Sequence, residues 1–147
     1  IMFNHESEFR PNEFLIMKII STAISIYSGS SEKLNLGSLE YSRDWTYAKD
    51  MAEAIVKISN ESDPIDYVIG SGISHSILDI VKIVFEFFEL EYKQYLEINE
   101  TLLRKGDPVH IKSDPELILK RLNWKAHSSI NEIIEIMITS RLKLTNN

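Results

Sequence analysis

The sequence predicts an α/β fold, and three observations predict it. Apolar residues recur at three- and four-residue steps in some stretches and in short strand-like runs in others. Gly, Ser, Asn and Pro punctuate the boundaries between them. The chain has 147 residues, 44% of them hydrophobic, enough for one packed unit and too apolar for wholesale disorder. The strands are few and short, a set that packs better against a larger sheet than alone.

Taken in order, Ile1 to Phe3 reads as the tail of a strand, and Asn4 to Pro11 as a polar loop. From Asn12 the pattern is helical, with Phe14, Leu15, Ile19, Ile20, Ala23, Ile24 and Tyr27 on one stripe and Gly29 as the stop. Leu34 and Leu36 alternate in a short strand that turns at Gly37. Arg43-Asp44-Trp45 leads into a second helix, Tyr47 to Ser59, with Ala48, Met51, Ala52, Ile55 and Ile58 on its expected inner face. Asp66 to Gly70 reads as a buried strand. Ser74 or Ser76 caps a helix from Ile77 to Phe88. Tyr92 to Ile98 is expected as a strand, and Asn99 to Pro108 as an exposed turn-rich segment. Ser113-Asp114-Pro115 starts a helix that ends near Leu122, because a capping side chain is followed by proline at the first helical position. Ser128 or Ser129 caps the last helix, which carries Ile130, Ile133, Ile134, Met137, Ile138 and Leu142.

Charge and motifs narrow the function. The net charge of −6 disfavours a nucleic-acid binder, yet a few local cations suffice for a small anion. With no cysteine there is no disulfide, thiolate metal site or cysteine nucleophile, which fits a cytoplasmic setting. The apolar runs fall short of the ~20 residues that span a bilayer. The start carries no basic segment ahead of an apolar one, so no signal peptide is read there. Gly-x-Gly-x-x-Gly, a Walker loop and a Gly-x-Ser-x-Gly elbow are absent, and the histidines lack zinc spacing, so no metal site is expected.

What remains are polar residues at the edges of elements. Asn4-His5-Glu6-Ser7 follows a strand end, where ligands bind in open α/β folds, or where a turn simply needs such residues. Lys18 lies among apolar neighbours, so its stem snorkels to water or its ammonium meets an anion. Arg43 forks onto a phosphate or pairs with Asp44 or Asp50. Arg104 and Asp107 share one loop. A guanidinium suits a diphosphate and a carboxylate suits ribose hydroxyls; the alternative is a solvated turn. Together these groups have the chemistry a nucleotide diphosphate needs.

Phe3-Asn4-His5-Glu6-Ser7 resembles the Phe-Asn-His-Glu-Ser stretch of GDP-mannose 4,6-dehydratases, which are extended short-chain dehydrogenase/reductase proteins. Lys18 falls at the family's lysine position. Leu36-Gly37-Ser38-Leu39, Arg43-Asp44-Trp45 and Ala48-Lys49-Asp50 look like Leu-Gly-Asn-Leu, Arg-Asp-Trp and Ala-Lys-Asp. Asp66-Tyr67-Val68-Ile69, the Arg104 to Asp114-Pro115 spacing and Leu122-Asn123-Trp124, in place of Leu-Gly-Trp, extend the likeness over nearly the whole chain.

The resemblance implies that residues 1–147 form a single nucleotide-sugar-binding lobe, the C-terminal, substrate-binding lobe of an extended NAD(P)-binding Rossmann-fold protein. It implies that Asn4, Lys18, Arg43 and Arg104 contact the diphosphate of GDP-mannose or a related GDP-sugar. Asp107 takes the place of a family glutamate on the ribose. It also implies NADP, bound by an N-terminal part outside this chain together with the catalytic residues, so that this chain has no catalytic residue of its own. A homo-oligomer is implied for the complete enzyme. An isolated lobe is expected to expose apolar surface and to aggregate. Two departures stand out. Glu8-Phe9-Arg10-Pro11 replaces Pro-Arg-Arg-Gly, and Arg104-Lys105-Gly106-Asp107 replaces Arg-Pro-x-Glu. They leave open another GDP-linked sugar, such as a heptose.

Overall fold

The computed structural model describes residues 1–145 apart from 64 and 104. The elements run β1 (Asn4–Glu6), α1 (Leu15–Tyr27), β2 (Leu34–Leu36), β3 (Ser42–Arg43), β4 (Trp45–Tyr47), α2 (Ala48–Ser59), β5 (His75–Ser76), α3 (Ile77–Phe87), β6 (Leu96–Ile98), α4 (Glu116–Leu122) and α5 (Ile130–Thr145). The α/β expectation holds. The strands join in three short pairs: β1 with β4 and β2 with β6, both parallel, and β3 with β5, antiparallel.

Two cores hold the chain. In the larger one, α1, α3 and α5 pack together over Leu34, Leu36 and Trp45, with Ile16, Ile20, Val84, Phe85, Ile133 and Met137 fully buried. Of the stripe read from the sequence, Ile19, Ile20, Ala23 and Ile24 are buried on α1, because an amphipathic helix gains most by turning its apolar face inward. Phe14 and Tyr27 are instead exposed, and Ile16, Met17 and Ile26 complete the buried face. The smaller core joins α2 and α4 through Met51, Ala54, Tyr67, Ile69, Ile118 and Trp124.

Helix ends follow the sequence closely. Ser76 and Asp79 form a reciprocal capping box at the start of α3. Ser129, one of the two serines proposed, makes the equivalent box with Glu132 before α5. Asp114 Oδ1 accepts the Glu116 amide at 3.1 Å as α4 begins. Asn123 closes α4 at φ 46° and ψ 43°, the left-handed conformation that glycine and asparagine tolerate best. Asparagine is therefore a sound replacement for glycine in Leu122-Asn123-Trp124.

Several local expectations need correction. On α2, Ala52 and Ile55 are exposed, and the inward face is Asp50, Met51 and Ala54 with Ile58 beside them. Asp50 turns the helix this way: its carboxylate accepts the amides of His127 and Ser128, both at 2.9 Å, so this acidic residue must face inward. Asn4 to Glu6, read as loop, is β1, because β4 lies alongside it. Asp66 to Gly70 is an extended segment with a single bridge, Ile69 to Met2. The expected strand Tyr92–Ile98 begins as a 3₁₀ turn over Tyr92–Gln94, with the Glu91 side chain accepting the Lys93 amide, and becomes strand only at Leu96.

Candidate functional site

The chain changes partners at Asp44. Upstream, β3 pairs with β5; downstream, β4 pairs with β1. Side chains alternate along extended backbone, so Arg43 and Trp45 face one side and Asp44 the other. Asp44 is fully buried. Its Oδ1 accepts from the Ser71 amide at 3.0 Å and the Ser71 hydroxyl at 2.6 Å. Its Oδ2 accepts from the Gly72 amide at 2.9 Å, the Ser113 amide at 3.3 Å and the Ser113 hydroxyl. Gly70 runs so close to Ser113 that a side chain there would collide with it. The junction ties two loops to the strand that carries Arg43.

On the other side lies a cavity of about 500 Å³. Asn4 and Glu6 reach it from β1, Lys18 from α1, Asn35 and Leu36 from β2, and Arg43 and Trp45 from β3 and β4. Leu102, Leu103 and Asp107 close it from the loop after β6. Of the residues singled out in the sequence, Asn4, Lys18, Arg43 and Asp107 thus line one space. Arg104 lies outside the described residues. Phe14 and Leu15 also line the cavity, so α1 starts at its wall. That helix has no side-chain cap and no acidic residue in its first turn, whereas α2, α3 and α5 each carry one. The positive end of the α1 dipole is therefore not offset within its own first turn, which favours an anion.

Each cation has a local partner. Lys18 Nζ donates to Asn35 O at 2.6 Å. Arg43 pairs with neither Asp44 nor Asp50; its Nη2 lies 2.8 Å from Asp107 Oδ1, and its Nη1 donates to Ser42 O at 2.7 Å. Asp44 points away and Asp50 holds the start of α5, so neither is available to it. Glu6 is buried, and burial raises its carboxyl above the usual carboxylate range, although Arg10 Nε at 2.9 Å opposes the rise. Sequence reasoning assigned no role to Glu6, Tyr41 or Trp45. Glu6 and Trp45 stood inside the motifs quoted, and that was the available signal.

A depression of about 520 Å³ runs along α5 among Glu8, Glu132, Glu135 and Lys143. It sets one lysine against three glutamates, whereas the cavity at Arg43 sets Lys18 and Arg43 against Glu6, Glu13 and Asp107 beside the start of α1, so the latter is the better anion site. Among the described residues no group of three or more His, Cys, Asp or Glu side chains could hold a metal ion, and no helix is long and apolar enough to cross a membrane. The sequence has no Gly-x-Gly-x-x-Gly loop, and the capping boxes of Asp79 and Glu132 put carboxylates at the starts of α3 and α5, so neither of those two helix ends suits a pyrophosphate.

The fold is shared with solved nucleotide-sugar dehydratases and epimerases. Over 95% of the chain it superposes with TM-score 0.82 and 18% identity on "RMD from Pseudomonas aeruginosa complexed with NADPH", covering 46% of that protein. A dTDP-glucose 4,6-dehydratase from Bacillus anthracis in complex with NAD gives TM-score 0.83 at 17% identity, with 97% and 43% of the two chains covered. The family model for GDP-mannose 4,6 dehydratase matches residues 1–137, and the chain belongs to that family. GDP-mannose 4,6 dehydratase 2 of Arabidopsis thaliana is 31% identical over 98% of this chain and 39% of its own length. The Homo sapiens GDP-mannose 4,6 dehydratase is 28% identical over 98% of this chain and 43% of its own. The chain thus spans about two-fifths of the length of these relatives.

Proposed function

We propose that residues 1–147 form one nucleotide-sugar-binding lobe of a cytoplasmic GDP-mannose 4,6-dehydratase, a lyase that converts GDP-mannose to GDP-4-keto-6-deoxymannose. NADP and the groups that react with the sugar belong, in this reading, to parts of the enzyme outside this chain, and the complete enzyme is a homo-oligomer. The chain contributes binding energy remote from the reacting centre, which enzymes use to orient a substrate. One observation carries the reading: Asn4, Lys18, Arg43 and Asp107 converge on one cavity beside the N-terminus of α1. Arg43 and Lys18, with Arg104, are assigned to the diphosphate, Asn4 to hydrogen bonding at the same group, and Asp107 to the ribose.

Calorimetric titration of the native protein with GDP-mannose tests this. Arg43→Ala is expected to weaken binding by ~1.5–3 kcal/mol, the scale of a hydrogen bond to a charged group. Arg104→Ala is expected to do the same. Unchanged affinity in both would remove the assignment. A second sugar, such as a GDP-linked heptose, is favoured by one observation: Arg10, left from the family's arginine-rich segment, turns back onto Glu6 and the carbonyl of His5. Comparing the products formed from the two GDP-sugars decides between them.

A further inference from the structure

Tyr41, Arg43 and Trp45 stand two residues apart along extended backbone, so their side chains share one face, and all three line the cavity. Ser42 and Asp44, between them, are buried. The strand thus carries its arginine in a row with two aromatic residues. Trp45 belongs to the larger core and is fixed by it. Tyr41 is half-buried, and its ring lies over the guanidinium, with Arg43 Cζ 5.7 Å from the ring centroid. The negative face of an aromatic ring attracts a cation at that range, and the flat guanidinium of arginine is suited to lie against it.

The backbone under Tyr41 has little freedom. Its carbonyl accepts the Ile77 amide at 2.9 Å, and Leu39 O accepts the Leu78 amide at 3.1 Å, so the first turn of α3 holds the segment. Next along the chain, the Ser42 amide donates to Val109 O at 2.8 Å. Ser42 and Val109 also supply the carbonyl oxygens that face Arg43 Nη1, at 2.7 Å and 3.4 Å. Those carbonyls hold one edge of the guanidinium and leave its plane free to turn about that edge. The ring of Tyr41, on the face of the group, fixes the tilt that the carbonyls leave open.

An arginine side chain is rich in rotamers, and a ligand that must order it loses affinity by doing so. A ring already seated on the guanidinium removes that cost before the ligand arrives. We propose that Tyr41 is a positioning residue: its ring preorganises the Arg43 guanidinium for an anionic ligand in the cavity. It acts through Arg43 and needs no contact of its own with the ligand. This inference rests on the nucleotide-sugar reading above, which supplies the anion, and adds to it a residue that the sequence motifs leave without a role.

The test is calorimetric titration of the native protein and its variants with GDP. Tyr41→Leu keeps apolar bulk and removes the ring; it is expected to weaken binding about two- to fivefold, the scale of a partly exposed cation–π contact. Tyr41→Phe keeps the ring and is expected to retain the wild-type affinity. In an Arg43→Ala background, Tyr41→Leu is expected to change nothing further, since a residue that acts through Arg43 has no effect without it. Should Tyr41→Leu fold poorly, a series of increasingly ring-fluorinated phenylalanines at position 41 keeps the shape and drains negative charge from the ring face. Affinity is then expected to fall stepwise along the series. Undiminished affinity in Tyr41→Leu, or throughout the fluorinated series, would overturn the role of the ring. A loss in Tyr41→Phe as large as that in Tyr41→Leu would assign the effect to the hydroxyl and overturn it too. An equal loss with and without Arg43 would show direct ligand contact or a fold defect in place of positioning. In each of these cases only the positioning fails, provided the wild type binds GDP. If the wild type does not bind GDP, the nucleotide-sugar reading fails with it.

Discussion

Arg43 looks into a cavity of about 500 Å³, and the next residue, Asp44, is buried on the opposite side against Ser71, Gly72 and Ser113. Both are charged and both belong to one motif, yet they do different work. The aspartate is closed off from water, and every donor around it is fixed by the fold. The arginine meets the carbonyls of Ser42 and Val109 and a partly exposed carboxylate, Asp107, on the cavity side. The comparison teaches that a motif can divide its labour within one peptide unit: one residue holds the loops in place, and its neighbour is presented by them.

The strongest way to break this division is Asp44→Ala. It leaves the buried Ser113 amide and hydroxyl without their acceptor, at ~1–3 kcal/mol for each buried group stranded, while the Gly72 amide keeps Ser113 Oγ. We expect urea denaturation to show a loss of about 3 kcal/mol or more. A smaller loss would mean the junction rearranges and is not the support described. Gly70→Ala comes next. Its methyl collides with Ser113, and overpacking of this kind costs about 1–3 kcal/mol. A neutral result would show that Ser113 can retreat from Asp44.

Arg43→Ala should behave in the opposite sense, lowering stability by less than about 1 kcal/mol because its ion pair is partly exposed. Its large effect is reserved for ligand affinity. A stability loss like that of Asp44→Ala would erase the contrast between the two residues.

The smallest expected effect is in the pH dependence of stability. Burial raises the Glu6 carboxyl above its unfolded value, so the folded state holds the proton more tightly. Between the ordinary glutamate range and the raised folded value the native state binds more protons than the unfolded chain. The contribution of Glu6 is then fully present below that window and declines as pH rises through it. Glu6→Gln is expected to flatten this decline in denaturation midpoints measured across pH. An unaltered profile would show that Arg10 offsets the burial completely.

Much of this was legible in the sequence because it is local. The Ile19, Ile20, Ala23 and Ile24 centre of the α1 stripe, the serine caps of α3 and α5, the Asp114-Pro115 start of α4 and the left-handed Asn123 each depend on neighbours within one or two turns. The four described binding candidates were legible through the family resemblance, and they line one cavity. The rotation of α2 was not. It depends on Asp50 accepting amides from His127 and Ser128, far away in the chain. Nor were β3 and β4, whose two or three residues are too short to show a period.

By itself, then, the sequence determined the α/β class, the helices with their ends, the family, and which polar residues merit attention, since periodicity, capping and motif are written in consecutive residues. Only the tertiary structure decided which way each charge points and what it meets. It turned Asp44 inward and Arg43 outward, gave Arg43 to Asp107 rather than to Asp44 or Asp50, and buried Glu6 beside Arg10. The physical reason is that charges pair through space. Asp107 reaches Arg43 because β2 and β3 anchor the two ends of its loop, and no local pattern of residues encodes that meeting.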